Sequence, residues 1–372
     1  MPPPTTPTPS TAGHSSELSP GGQLPAGAGR RVTAAMVAAR AGVSAATVSL
    51  VTSGKTAGRV SQANIDKVDA AVTELGYVVN GLGSSLAKGR SNIVILVAPD
   101  VSNPFYAKVI AGVREGIGPE FQLLLSVTEA GHTPESADVR RLLALRPAGL
   151  LVDAPSARFL AELQVSDPMV LLDAAGIESA APSVNFDVAH GARMLAAHLA
   201  DRGHRTVAYL DSTTGTETFR VRREAFFREA ARLGIDVAAQ GEATIDVGAA
   251  ALAFTEAWPG WSHQGVTAVV CATDTHAYGV LQEARVAGVA VPAALAVTGF
   301  DDLPYSETSN PGLTTVQLPA LEMGKLAGEL LCGLMAGEQA AAPHLTLDAA
   351  LVVRGSTVDP VLAGAGQGLP AG

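Results

Sequence analysis

The chain has 372 residues, 47% of them hydrophobic and only 16% charged, which supplies ample apolar material for buried cores and suits two or three domains of roughly 150 residues. No run approaches the roughly 18 consecutive apolar residues of a membrane helix. No charged N-terminal segment leads into an apolar stretch, so no secretory signal is read and a cytoplasmic home is expected. Cys271 and Cys332 sit in apolar runs without CxxC or Cys/His spacing, which argues against a disulfide framework or a zinc site and predicts two buried thiols.

The formal net charge of −10 speaks against a nucleic-acid partner only while it is averaged. Residues 30–90 hold eight Lys/Arg against three acids, a net +5, whereas residues 91–372 hold 17 against 31, a net −14. A basic head on an acidic body is the electrostatic layout of a nucleic-acid-binding module joined to a domain that must not stick to phosphates.

Residues 1–29 are mostly Pro, Thr, Ser, Gly and Ala and cannot bury enough surface to offset chain entropy, which predicts a disordered tail. Thr33 precedes a helical stretch over 34–41, broken by Gly42. Ser44 is placed to cap a second short helix over 45–51, its hydroxyl accepting from the free amides of the first turn. Ser61 caps a third, in which Ile65, Val68, Val72 and Leu75 recur at three- and four-residue steps before Gly76 closes the end. Two short helices about a Gly-containing turn form a helix-turn-helix; the same pattern also suits a mere structural corner.

Beyond residue 91 short continuous apolar runs begin at Ile93, Leu150, Val170, Val207, Ala268 and Ala296. Continuous rather than alternating runs predict strands covered on both faces. Between them lie amphipathic stretches near 105–116, 135–145, 189–201, 218–233, 276–287 and 320–335. This order predicts an α/β body of parallel doubly wound sheets, long enough for two similar lobes with a cleft between them, where ligands bind beyond the carboxyl ends of the strands.

The helix-turn-helix run from Val32 to Ser49 is followed by Val60-Ser61, Glu74-Leu75-Gly76-Tyr77, Asn80 and Gly89-Arg90-Ser91. Farther on come Pro99-Asp100-Val101-Ser102-Asn103-Pro104-Phe105-Tyr106, Gly203-His204-Arg205, Gly299-Phe300-Asp301-Asp302 and Leu313-Thr314-Thr315-Val316. In that order these segments resemble the lactose-repressor (LacI/GalR) family of transcriptional regulators over about residues 32–356. The resemblance implies a head at 30–79, a hinge at 80–90, a two-lobed periplasmic-binding-protein-like body at 91–356 for effector binding and dimerisation, and a flexible tail at 357–372.

For DNA, the resemblance implies that the second helix, with Ala45, Ala46 and Leu50, enters the major groove of a double-stranded operator, while Thr33, Ser44, Thr47, Ser49, Ser61 and Asn80 hold phosphates. Hydroxyls, amides and helix N-termini are chemically suited to fixing register on a phosphate backbone. Family members commonly carry Arg where this chain has Leu50; Arg contacts guanine bidentately, whereas leucine offers apolar contact to a thymine methyl. The turn from Ser53 to Arg59 looks about two residues longer than the family's and more basic, which adds candidate phosphate contacts. In the hinge, Leu86 matches the family leucine that wedges into the minor groove. Gly81 and Gly83 weaken the hinge helix by roughly 0.8–1 kcal/mol each.

For the cleft, the resemblance carries effector contacts onto Asp100, Phe105, Tyr106, Arg222, Thr273, Asp274 and Asp301. Read by itself, Arg222 in Arg220-Val221-Arg222-Arg223 equally suits a basic helix face. Asp301 closes an apolar strand, where a carboxylate can accept ligand hydroxyls. Arginine, aspartate and aromatics together point to a sugar-like effector. Thr273 stands where the family often has Asn, which leaves the particular sugar open. The scattered histidines show no metal spacing, His204 suits a helix-to-strand loop, and no cofactor is implied. Gly81-x-Gly83 follows no strand and is no dinucleotide fingerprint, and no nucleophile elbow appears. The reading is therefore a homodimeric regulator, a repressor by resemblance, without enzymatic activity. A periplasmic-type sugar receptor is the rival from another class, and an enzyme on a Rossmann-like scaffold a second.

Overall fold

A computed structural model describes residues 32–78, 90–98, 101, 103–127, 135–163, 167–177, 180–341 and 343–358. The chain divides between Asn80 and Gly81 into two compact units. The expectations for Asn80, for Leu86 and the hinge glycines, for Asp100 and for the tail at 1–29 lie outside the described residues.

In the first unit, α1 (Ala34–Ala41) begins at Thr33, whose hydroxyl accepts from the Met36 amide. It stops at Gly42, where φ is 67°, a left-handed conformation that a Cβ disfavours. The following α2 (Ala45–Thr52) is turned by 104° from α1, within the range of DNA-binding helix pairs. Together with α3 (Gln62–Leu75) they enclose a small core of Val37, Ala38, Ala41, Val48, Val68 and Ala71. Only Val48 of α2 is fully buried, so the rest of that helix is turned outward or lies at the margin.

The second unit contains two larger parallel sheets among its described residues. In lobe one, β1 (Ile93–Ala98), β2 (Gln122–Val127), β3 (Gly149–Asp153), β4 (Met169–Leu172), β5 (Ser183–Phe186) and β11 (His344–Leu347) lie in the order β11-β5-β4-β3-β1-β2. One face is covered by α4 (Pro104–Ile117) and α12 (Ala320–Ala336), the other by α5 (Ser136–Leu143) and α6 (Ala157–Leu163). The helices α4 and α12 meet backbone to backbone: a Cβ on Gly112 would lie 2.0 Å from the Leu321 carbonyl oxygen, and one on Gly324 only 2.1 Å from that of Val109.

In lobe two, β6 (Thr206–Ser212), β7 (Asp236–Ala243), β8 (Ala268–Cys271) and β9 (Ala296–Thr298) lie in the order β7-β6-β8-β9. Their faces are covered by α7 (Val188–Asp201) and α8 (Glu217–Arg232) on one side, and α9 (Val247–His263) and α10 (Asp274–Val286) on the other. The short α11 (Tyr305–Thr308) leads to an antiparallel pair, β10 (Thr315–Gln317) with β12 (Ala350–Val352). The chain passes between lobes after β5, after β10 and after β11, and one apolar cluster runs through both, from Val94 and Leu96 to Tyr209 and Phe226.

Several elements depart from the sequence reading. The edge strand β7, Asp-Val-Ala-Ala-Gln-Gly-Glu-Ala, is largely exposed or half-buried, so it lacks the apolar run that marks an interior strand. Strand β2 is likewise an edge, with Leu125 and Val127 partly exposed. Helix α9 runs through Pro259, which normally breaks a helix and hid it. The flexible tail does not start at 357: Thr357 and Val358 are buried, and the Thr357 hydroxyl bonds both the His198 ring and Thr314. Cys271 is buried but Cys332 is only half-buried, and both are free thiols. No single helix among the described residues is long and apolar enough to cross a membrane.

Candidate functional site

The head leaves most of α2 exposed or half-buried. Ser44 caps the helix by accepting from the Thr47 amide at 3.1 Å, and its hydroxyl also pairs with the Thr47 hydroxyl at 2.9 Å. Ala45, Ala46 and Ser49 are exposed and Leu50 half-buried. Ser61 begins α3 in extended conformation without a side-chain cap bond, which leaves its hydroxyl open to an outside acceptor. Ser53 donates to the Leu50 carbonyl at 3.3 Å, so that hydroxyl helps close α2 rather than standing free. Arg40 is committed to Glu74, Nη2 to Oε2 at 2.6 Å and Nε to Oε1 at 3.0 Å. Among the described residues Lys55, Arg59 and Lys67 carry no ion pair; Lys55 and Arg59 make the turn after α2 positive, whereas α3 sets Lys67 against Asp66, Asp69 and Glu74.

In the body, acidic residues collect at the carboxyl ends of the strands. Asp153 ends β3, Asp173 follows β4, and Asp301 and Asp302 follow β9. The chain is forced there into left-handed conformations at Ala154 (φ 41°), Asp173 (φ 46°) and Asp302 (φ 52°), with Asp301 at φ 112°. Such non-glycine outliers persist where surrounding structure over-determines them and cluster at ligand sites.

Arg222, on α8, reaches these groups from lobe two. It is only 5% exposed and lies over the Phe300 ring at 4.1 Å and the Phe219 ring at 5.2 Å. Its Nη1 donates to the Ala272 carbonyl at 3.1 Å and to Asp301 Oδ1 at 3.2 Å, while its buried Nε has no partner. From lobe one the Tyr106 hydroxyl donates to Asp153 Oδ2 at 2.9 Å, and Asp153 Oδ1 is buried and unpartnered. The lobes touch beside the cluster, where Thr218 donates to the Asp173 carbonyl at 3.4 Å and Lys108 to the Asp302 carbonyl at 3.4 Å.

Burial pushes the Asp301 carboxyl up to about 6, although Arg222 pulls it back. Burial likewise holds Asp153 well above the usual carboxylate range, with Asp173 adding repulsion and Tyr106 opposing it. Asp173 is raised by burial against the pull of Arg222. An unpartnered guanidinium nitrogen and an unpartnered carboxylate oxygen, both buried, are poised for a ligand that accepts from one and donates to the other.

Some predicted effector residues are placed otherwise. Asp274 is fully buried, and its oxygens accept from the Leu303 amide at 2.7 Å and from the Ser306 and Thr315 hydroxyls. It fastens the loop that carries Asp301 and has no acceptor capacity directed at a ligand; burial, with Asp301 adding, pushes it up to about 7. Thr273 caps α10, its hydroxyl shared between the amide and ring of His276. Phe105 is a core residue packed edge-on against Tyr106 and Phe186. Tyr106, Arg222 and Asp301 do converge. The sequence reading missed Asp153 and Asp173, although each stands at the carboxyl end of a predicted apolar run, where the rule for parallel sheets puts ligands. No group of three or more His, Cys, Asp and Glu among the described residues could hold a metal.

A helix-turn-helix head joined to a two-lobed body with a polar cleft defines a class: DNA-binding transcription regulators with an effector-binding domain. Residues 33–80 match the family model of bacterial regulatory proteins, lacI family, and residues 196–357 that of the periplasmic binding protein-like domain. The chain is similar to the HTH-type transcriptional regulator CelR of Thermobifida fusca, 31% identical over 351 residues, 88% of this chain and 98% of that one. Among solved structures it is similar to the lac repressor dimer bound to operator and an anti-inducer, at TM-score 0.76 and 25% identity, with 88% of this chain and 100% of that chain covered. It is also similar to a CelR complex with cellobiose, at TM-score 0.63 and 28% identity over 88% and 100%. The chain belongs to the lacI family of bacterial regulatory proteins. It is a DNA-binding transcription regulator.

Proposed function

We propose that this chain is a cytoplasmic repressor that binds a near-palindromic operator as a homodimer and releases or tightens its grip when a small hydroxylated molecule enters the cleft. The observation that carries this reading is the Arg222 clamp: a buried guanidinium, fixed by two aromatic rings and a carboxylate, with its buried Nε left without a partner. A group held that rigidly costs little further ordering on binding a ligand. The cleft works by binding without turnover, in keeping with the relatives, which are regulators.

In the head, α2 lies in the major groove with Ala45, Ala46 and Leu50 toward base edges, and Thr33, Ser44, Thr47, Ser49 and Ser61 at the phosphates. Each of two heads reads one half-site, because a single small basic module gives little affinity. Effector contacts fall to Tyr106, Asp153, Asp173, Arg222 and Asp301. Coupling is a difference in effector affinity between operator-competent and incompetent lobe arrangements, typically about 1–3 kcal/mol.

A gel-shift titration of the full chain on the DNA flanking its own gene tests this. Binding should weaken steeply with salt, as phosphate contacts require, and a small metabolite should shift it in a manner lost in Arg222→Met. A flat salt response, or an effector response intact in that variant, refutes the proposal.

A further inference from the structure

Counting charge around the cleft leads past the general class of effector. Asp173 adds repulsion to both Asp153 and Asp301, and the Tyr106 hydroxyl, raised first by burial, feels all three carboxylates from both lobes. Against these carboxylates stands Arg222, which is already spent on Asp301 and a carbonyl. Of the neighbouring cations, Arg223 pairs with Asp211 and Arg354 with Asp302 at 2.8 Å, while Lys108 donates to the Asp302 carbonyl and is not among the groups acting on Asp153. The cleft is therefore short of positive charge around the end of β3. It is shortest at Asp153, which is 1% exposed and has one carboxylate oxygen without any partner.

Burial without a cation favours the protonated form of a carboxyl such as Asp153, and the group ionises there only when a positive charge is brought beside it. A neutral polyol can bring hydroxyl donors to Asp153 but no positive charge, and Arg222 offsets only part of the burial of Asp173. An ammonium group brings three donors and the missing charge together. Across the cleft, Arg222 Nε needs an acceptor, which a ring or hydroxyl oxygen supplies.

Resting on the proposal that the cleft holds the effector, we infer that this effector is an amine-bearing polyol, of the amino-sugar kind, with its ammonium against Asp153 and Asp173 and an oxygen on Arg222. The site thus selects by charge on lobe one and by hydrogen bonding on lobe two. Tyr106 is a positioning residue, since its hydroxyl fixes the Asp153 carboxylate with Oδ1 left for the ligand.

The experiment is calorimetric titration of the full chain at neutral pH with matched probes: glucosamine against glucose, galactosamine against galactose, and mannosamine against mannose. At least one amine should bind about tenfold or more tightly than its neutral mate, the equivalent of about 1.4 kcal/mol. Asp153→Asn, which is nearly isosteric and removes a buried charge, should erase that preference while leaving the unfolding transition intact. Tyr106→Phe should keep the preference and weaken it less. Equal or tighter binding of the neutral sugars, survival of the preference in Asp153→Asn, or no binding by any amine at millimolar concentration overturns the inference. Neutral sugars that bind in an Arg222-dependent way leave the cleft proposal standing and sink only this one. Amine binding indifferent to both Arg222→Met and Asp153→Asn sinks the cleft itself.

Discussion

Replacing Arg222 by methionine keeps side-chain length and apolar contact with Phe300 and Phe219 but removes the charge. Asp301, 6% exposed, then loses its ion pair and sits buried near Asp173, a change that typically costs about 3–5 kcal/mol. The penalty depends on pH in a direction fixed by the titration of Asp301. In the intact protein its carboxyl ionises at about 6, and Arg222 is what restrains it from going higher; without Arg222 it ionises later. At about pH 5 it is neutral in both proteins and the deficit reduces to the lost cation–ring attraction and one carbonyl bond, whereas by about pH 8 the full penalty applies. The gap widens by about 1.4 kcal/mol for each pH unit through which the ionisation is displaced. Urea unfolding of the parent, Arg222→Met and Arg222→Met/Asp301→Asn at both pH values measures it, the double variant recovering much of the loss at the higher pH. A deficit below about 1 kcal/mol, or one independent of pH, would falsify the assignment of Arg222 and Asp301 as a buried ion pair.

Gly324→Ala should lower the stability of the body by about 1–3 kcal/mol despite the better helix propensity of alanine, because the new methyl meets the Val109 carbonyl; an unchanged urea midpoint would mean that α4 and α12 part freely. Leu50→Arg should move the operator consensus toward guanine at one position per half-site, and selection from a random duplex library that returns the parental consensus removes Leu50 from base reading. Asp274, at about 7 in the fold, binds its proton more tightly there than in the unfolded chain, whose aspartates titrate near about 3.9. The native state therefore holds the extra proton between those values, and stability contributed by this group falls as pH rises through that window. Asp274→Asn should make the slope of unfolding free energy against pH less negative there; a slope as steep as the parent's contradicts the origin given.

The helix-turn-helix was legible because its signals are local: Thr33, Gly42, Ser44 and Gly76 act within a turn of where they stand. The interior strands were legible because burial on both faces demands continuous apolar runs, as in Leu150 to Val152. The edges β2 and β7 were not, since an edge strand needs no such run, and α9 was masked by Pro259. At the cleft, resemblance supplied Arg222 and Asp301 but could not tell a ligand-facing aspartate from a structural one. Asp274 and Asp301 are both acids next to strand ends; what separates them is that Leu303, Ser306 and Thr315 converge on the first, a tertiary fact. Asp153 was missed because one carboxylate after an apolar strand says nothing of its unfilled oxygen until Tyr106 is seen bonded to the other.

That fastening by Asp274 gives the regulator a division of labour. The segment it pins bears Asp301 and continues through β10 toward α12, one of the routes by which the polypeptide crosses from lobe to lobe. Lobe two thus offers a fixed anvil, whose alteration disturbs the crossing as well as recognition. The tips of β3 and β4 lie off that crossing, and among the described residues only the Asp173 carbonyl reaches across, to Thr218. On the proposed reading of the cleft, substitutions at Asp153 and Asp173 change recognition while the segment that Asp274 pins keeps its place.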